Sequence, residues 1–227
     1  FAHLASVVTD EQHRFGVNQR AALVNKSDYA PDVLIMTATP IPRTLALTVY
    51  GDVETSVMRG MPPGRKAVET LCYTGDMRQK VYADMVRQIE AGRQVYVVCA
   101  SIEESEAMEG IRSVNDVYAE LKKTWLKNIP CGLLHGKLKP AEKDEIMEAF
   151  AAGKLKCLVT TTVIEVGVNV PNATLMIVEN ADRFGLAQLH QLRGRVGRGD
   201  KQSYCVLLTD NQEQDNLARL TVLHNSN

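Results

Sequence analysis

The chain has 227 residues, 45% of them hydrophobic and 23% charged, enough apolar material for one large or two ordinary cores. A formal net charge of −1 excludes capture of a polyanion by the molecule's overall field, so a nucleic-acid partner has to be met by local basic patches. No apolar run in this sequence reaches about 18 residues and none reads as a leader peptide, so neither membrane insertion nor secretion is expected. Cys72, Cys99, Cys131, Cys157 and Cys205 lie far apart without a CxxC, and four of them fall in apolar runs, so they read as buried thiols of a reducing cytoplasm. The chain opens on Phe1 rather than Met, which reads as a fragment.

Leu4 to Thr9 is a short β-favouring run that ends in Asp10-Glu11-Gln12-His13. Two carboxylates thus stand at the carboxyl end of a strand, where open α/β sheets bind ligands. One suits Mg²⁺ held mostly through water and the other suits orienting an attacking water, although adjacent acids at a strand end also serve as turn residues. A helical stretch near Gln19 to Asn25 leads to a second apolar run, Val33 to Met36, followed by Thr37-Ala38-Thr39-Pro40. Hydroxyls there suit either a relay between a phosphate site and a neighbouring domain or a cap on the helix expected over Arg43 to Tyr50. Met61-Pro62-Pro63-Gly64-Arg65 then reads as a linker, with a domain boundary near residue 65.

Beyond it strands and helices alternate. Strands are expected over Val68 to Tyr73, Gln94 to Cys99, Cys131 to Leu134, Lys156 to Thr161, Thr174 to Val178 and Ser203 to Leu208. Helices are expected over Met77 to Ala91, Val114 to Lys127 and Pro140 to Ala152. That alternation implies right-handed βαβ units and a mainly parallel sheet flanked by helices: one complete α/β domain, with residues 1–64 the last part of another. His135-Gly136-Lys137 ends one strand and Thr160-Thr161-Thr162, with Gly167, ends the next. Amides, hydroxyls and a cation there suit a nucleic-acid backbone, or ordinary loop chemistry.

The chemically densest stretch is Gly185 to Gly199, GLAQLHQLRGRVGRG. Leu186, Leu189, Leu192 and Val196 recur at helical spacing, and a helix through them would set Gln191, Arg195 and Arg198 on one face. Gly194 and Gly197 are poor helix residues, each costing about 1 kcal/mol against Ala, which points to a close visitor at the backbone. A phosphate met by guanidinium forks is one reading, and a solvated basic face is the other.

In order, DEQHRFG, TATPIPRTLALTVYGD, LLHGKLKPAEKDEIMEAF and TTTVIEVGVNVPNATLMIVENADRFGLAQLHQLRGRVGRG resemble the superfamily 2 helicase motor, and within it the RecG-type branched-DNA helicases. The motor of the transcription-repair coupling factor shares these motifs in general form, but the DEQHRFG and AEKDEIMEAF wording is nearer to RecG. The resemblance implies two RecA-like (P-loop NTPase type) domains with ATP between them and DNA across both. Residues 1–64 would be the C-terminal part of the first and residues 65–227 the second. By that resemblance Asp10 would hold Mg²⁺, Glu11 would activate water and His13 would report nucleotide state. Thr37, Ala38 and Thr39 would couple hydrolysis to closure, Gly167 and Asn169 would lie by the nucleotide, and Gln191, Arg195 and Arg198 would face the triphosphate, with Arg198 the arginine finger. His135, Lys137, Thr160, Thr161 and Thr162 would line the DNA path.

Two departures stand out. The family's usual GVDVPNA is GVNVPNA here, so the neutral Asn169 replaces a carboxylate. No GxxxxGK[ST] occurs, so the P-loop and the DNA-binding wedge are expected upstream of Phe1, in the same protein. The parent is then expected to be an ATP- and Mg²⁺-dependent DNA helicase or translocase that remodels stalled forks and Holliday junctions in repair and recombination, in the bacterial cytoplasm at the nucleoid. The chain alone is expected to be an inactive packing or weak DNA-binding module, with possible self-association. An RNA helicase would use the same motor chemistry.

Overall fold

The computed structural model describes residues 5–10, 31–36, 54, 56–58, 65–100, 112–162, 169–211 and 220–221. The chain divides into two compact units, Phe1–Arg59 and Gly60–Asn227.

In the first unit, Ser6–Thr9 (β1) and Asp32–Ile35 (β2) pair in parallel, Ser6 opposite Asp32 and Thr9 opposite Ile35. The ladder continues at both ends, with Asp32 N donating to Ala5 O at 3.0 Å and Met36 N to Thr9 O at 2.8 Å. Parallel strands are normally covered on both faces, yet Val8 and Leu34 are 60% and 56% exposed. The helices expected near residues 19–25 and 43–50 lie outside the described residues.

The second unit carries a six-stranded, wholly parallel sheet. Its strands are Glu69–Thr74 (β3), Gln94–Val98 (β4), Cys131–Leu134 (β5), Cys157–Thr160 (β6), Ala173–Val178 (β7) and Tyr204–Thr209 (β8), in the spatial order β3-β8-β7-β4-β6-β5. Each lies within about a residue of its expected bounds, because strands buried on both faces read as continuous apolar runs. The crossovers include Arg78–Glu90 (α1), Val114–Lys123 (α2), Pro140–Ala151 (α3) and Leu186–Arg193 (α4). Ser113 starts α2 by accepting from Asp116 N at 3.2 Å. In α3 Pro140 takes the first position and Glu142 reaches back to accept from Lys139 N at 2.8 Å. Helix α2 stops at Lys123 rather than Lys127 because the chain turns Leu126 into the core, its N–H bonding Leu121 O at 2.7 Å.

Side chains alternate across the sheet and so build two cores. On one face Tyr96, Val98, Leu158, Met176 and Leu207 pack against Phe150 of α3 and Leu189 and Leu192 of α4, with Tyr96 and Phe150 rings 4.9 Å apart. On the other, Val95, Val97, Val159, Ile177 and Leu208 pack against Tyr82 and Met85 of α1 and Val117 and Leu121 of α2.

Cys99, Cys131, Cys157 and Cys205 are buried and Cys72 is half-buried. Burial pushes the Cys205 thiol up to about 12, against a slight pull from Arg193, and raises Cys72 as well. In the unfolded chain these thiols ionise near 9.0, so above that pH the unfolded state gives up protons first. Stability is therefore full below pH 9.0 and falls as pH rises toward about 12. Urea melts at about pH 8 and about pH 10.5 are expected to give the lower midpoint at the higher pH, and iodoacetamide at about pH 8 is expected to leave the four buried thiols unmodified in the native protein.

Candidate functional site

The residues singled out by sequence separate onto opposite ends of the parallel sheet. His135 is the residue after the last of β5 and Thr161 the residue after the last of β6, and the two ends are stitched by Thr161 N donating to Leu134 O at 3.2 Å. This is the carboxyl edge. Thr160 there is fully buried, and its hydroxyl donates to Thr161 O at 2.8 Å; Thr161 is buried too. They build the loop, whereas Thr162 and His135 are half-buried and Lys137 is exposed. His135 Nδ1 is sealed from solvent and meets no hydrogen-bond partner among the described residues. Lys143 Nζ donates to Gly136 O at 2.8 Å, which braces the His-Gly-Lys turn.

Helix α4 begins beside that edge and runs back across the sheet, so the residues after Arg193 land at the amino edge. The helix ends at Arg193 and carries Gln191, half-buried, in its last turn. The helical continuation to Arg198 is not what forms. Arg195 N bonds Leu192 O at 2.9 Å and Val196 N bonds Arg193 O at 3.3 Å in a turn, and Gly197 takes a left-handed φ of 72°. Gln191, Arg195 and Arg198 therefore do not share a helix face. Val196 is buried at the expected spacing, but a turn delivers it there.

The close visitors at the glycines are parts of the same chain. A Cβ on Gly197 would lie 2.5 Å from Val68 Cγ2, and one on Gly199 would lie 2.6 Å from Pro171 O. Val68 precedes β3 and Pro171 precedes β7, which places both arginines at the amino edge. Arg198 Nε donates to Gly194 O at 3.1 Å, capping the helix, while its terminal nitrogens bond nothing among the described residues. Arg195 and Arg198 both pull down on the phenol of the buried Tyr96, although burial wins and pushes it up to about 12. Asn169, exposed, leads into the same edge through Val170, whose O accepts from Ala173 N at 3.0 Å.

Asp10 is exposed at the carboxyl end of β1, and its single carboxylate fits a cation that keeps most of its waters. Among the described residues no trio of His, Cys, Asp or Glu converges on a metal-sized point. Glu11, His13, Thr37, Ala38, Thr39 and Gly167 lie outside the described residues.

A buried ion cluster went unread in the sequence. Glu179, 0% exposed just past β7, accepts from Arg78 Nε at 3.0 Å and from Tyr82 Oη at 2.5 Å, and lies 3.6 Å from Arg112 Nη1. Arg78 also bonds Asp210 at 2.8 Å, Arg112 also pairs with Glu120, and Arg112 N donates to Asn180 Oδ1 at 3.0 Å, where φ is 48°. Burial and the Glu179 charge hold the Tyr82 phenol far above its ordinary value, so it keeps its proton, donating to the carboxylate while its oxygen accepts from Arg112 Nη1 at 2.9 Å. The cluster ties α1, the entry to α2 and the ends of β7 and β8 together, and fixes the left-handed turn that launches the chain toward α4.

A parallel sheet with paired basic side chains at one edge and a His-Gly-Lys turn at the other is found with a matching sequence: residues 78–200, more than half the chain, match the helicase conserved C-terminal domain. The chain belongs to that family. Over its whole length this helicase domain segment is 50% identical to the ATP-dependent DNA helicase RecG of Bacillus subtilis, covering 33% of that protein. It is 52% identical over 226 residues to RecG of Synechocystis, covering 27%. It thus spans about a third of its relatives' length or less. A solved structure of RecG bound to a three-way DNA junction superposes with a TM-score of 0.79 at 40% identity, covering all of this chain and 29% of that one. The sequence of the helicase domain is of RecG type from end to end.

Proposed function

We propose that this chain is part of the motor of an ATP-dependent DNA helicase or translocase that remodels branched DNA, including stalled forks and Holliday junctions, in repair and recombination. The observation that carries the reading is identity of 50% along the entire chain to a RecG helicase, supported by the likeness to RecG held on a three-way junction. In this reading residues 1–64 close the first RecA-like domain and residues 65–227 form the second. ATP lies against the amino edge, where Arg195 and Arg198 meet its phosphates, Gln191 orients them and Gly167 and Asn169 border the nucleotide. Asp10 holds Mg²⁺ through water, Glu11 orients the attacking water, His13 senses the nucleotide, and Thr37, Ala38 and Thr39 pass closure between the units. When bound, Mg²⁺ offsets phosphate charge. DNA lies on the carboxyl edge against His135, Lys137 and Thr162, with Thr160 and Thr161 supporting their loop. The edges of the β1–β2 pair take the remaining strands of the first domain's sheet, and in the chain alone they promote self-association.

The test is ATP hydrolysis by this chain and by the full-length protein, each with forked DNA, plain duplex and structured RNA. We expect turnover only in the full-length protein, greatest with forked DNA. Preference for RNA, or turnover by this chain alone, defeats the reading. A second reading, that the chain by itself is a non-catalytic module, is favoured by the absence of any GxxxxGK[ST] in it.

A further inference from the structure

The amino-edge turn is held from an unexpected direction. Arg65, a few residues beyond the division between the units at Arg59–Gly60, donates its Nε–H to Gly197 O at 2.7 Å. Val68 fills the space that a Gly197 side chain would need. Gln202 Nε2 bonds Ala67 O at 2.9 Å, and Glu69 N bonds Ser203 O at 2.9 Å. The start of the second unit is thus laced to the arginine turn at Gly197, by Arg65 and Val68, and to Gln202 and Ser203 at the entry to β8.

The Gly197 carbonyl belongs to the peptide unit that carries the nitrogen of Arg198. With glycine on its near side, that plane has little steric reason to hold one orientation, and rotating it swings Arg198. A guanidinium N–H to a carbonyl is a charge-assisted bond, roughly twice as strong as a neutral one, and it pins the plane. We propose that Arg65 is a positioning residue for the arginine turn: through Gly197 it sets the direction of Arg198. This rests on the motor reading above. Arg65 does not itself meet phosphate in this scheme. It acts through the turn, so nucleotide affinity is spared while the chemical step suffers.

The experiment compares wild type, Arg65→Met and Arg65→Lys in the full-length protein, with forked DNA present. Arg65→Met keeps the aliphatic stem and removes the donor, and Arg65→Lys restores one. Arg65→Met is expected to lower kcat about tenfold with KM for ATP within about twofold and an unchanged melting temperature, and Arg65→Lys is expected to recover most of the loss. In parallel, hydrogen exchange of peptides spanning residues 194–199 is expected to rise about tenfold in Arg65→Met. Normal kcat in Arg65→Met, a loss shared equally by Arg65→Lys, or a loss that tracks a lower melting temperature overturns the proposal. If wild type itself fails to hydrolyse ATP, the motor reading falls, and exchange alone decides whether Arg65 pins the turn: unchanged exchange overturns it.

Discussion

Arg198→Ala in the full-length protein is expected to lower kcat for ATP hydrolysis by about three orders of magnitude and leave the fold intact. The reason lies in how the side chain is held. Its Nε is committed to Gly194 O, which fixes the plane of the guanidinium, while the two terminal nitrogens remain as a preset fork among the described residues. On the proposed function, that fork meets the transferring phosphate, and a fork preset in this way costs little reorganisation when charge develops there. Arg198→Lys keeps the charge but loses both the fork and the Nε anchor, so it is expected to recover no more than about tenfold of the loss. The single bond to Gly194 is exposed, and its removal costs no more than about 1 kcal/mol. Single-turnover hydrolysis and a thermal melt measured on the same preparations check both halves, and near-normal turnover in Arg198→Ala would remove Arg198 from the chemistry.

Glu179→Ala is expected to destabilise the second unit by about 3–5 kcal/mol, the cost of breaking a buried ion pair while its partners stay behind. Arg78 is 16% exposed and Arg112 22%, so neither regains full hydration when the carboxylate goes. Asp210 and Glu120 remain to them, which keeps the expected loss within that range. Glu179→Gln preserves the shape and the acceptor for Tyr82 but removes the charge, and is expected to cost about half as much. Trp125 is the chain's single tryptophan and packs edge-on to Tyr82 with ring centroids 6.5 Å apart, so its fluorescence reports directly on the cluster during a urea melt. A midpoint unchanged in Glu179→Ala would mean that the cluster is only a solvated ornament of the sheet edge.

The parallel sheet was legible because a strand covered on both faces reads as a nearly continuous apolar run, as in β4 and β7, which are apolar but for Gln94 and Thr174. Helical spacing misled at α4. Leu189, Leu192 and Val196 are all core residues at helical spacing, and a turn after Gly194 satisfies that spacing as well as another turn of helix does. What separates the two outcomes is the left-handed Gly197 seated against Val68, a contact across more than a hundred residues that no local pattern announces. The partition of candidate residues between the two sheet edges was hidden for a related reason: it depends on the direction in which α4 recrosses the sheet. The Glu179 cluster joins residues 78, 82, 112 and 179, whose only sequence sign is a carboxylate set directly after a fully buried strand.

The strand order also governs how the second unit is born. Among the described residues β3 is an edge strand whose one neighbour is β8, Glu69 lying opposite Tyr204. On a ribosome the first strand of the unit emerges long before its partner, and the sheet cannot close until the last strand has left the exit tunnel. Its folding is thus postponed to the end of synthesis of this segment, with a high proportion of distant contacts to form late. Until then Leu71 and Cys72 wait in a nascent chain that can pair with the wrong edge, and the arginine turn has nothing to rest against.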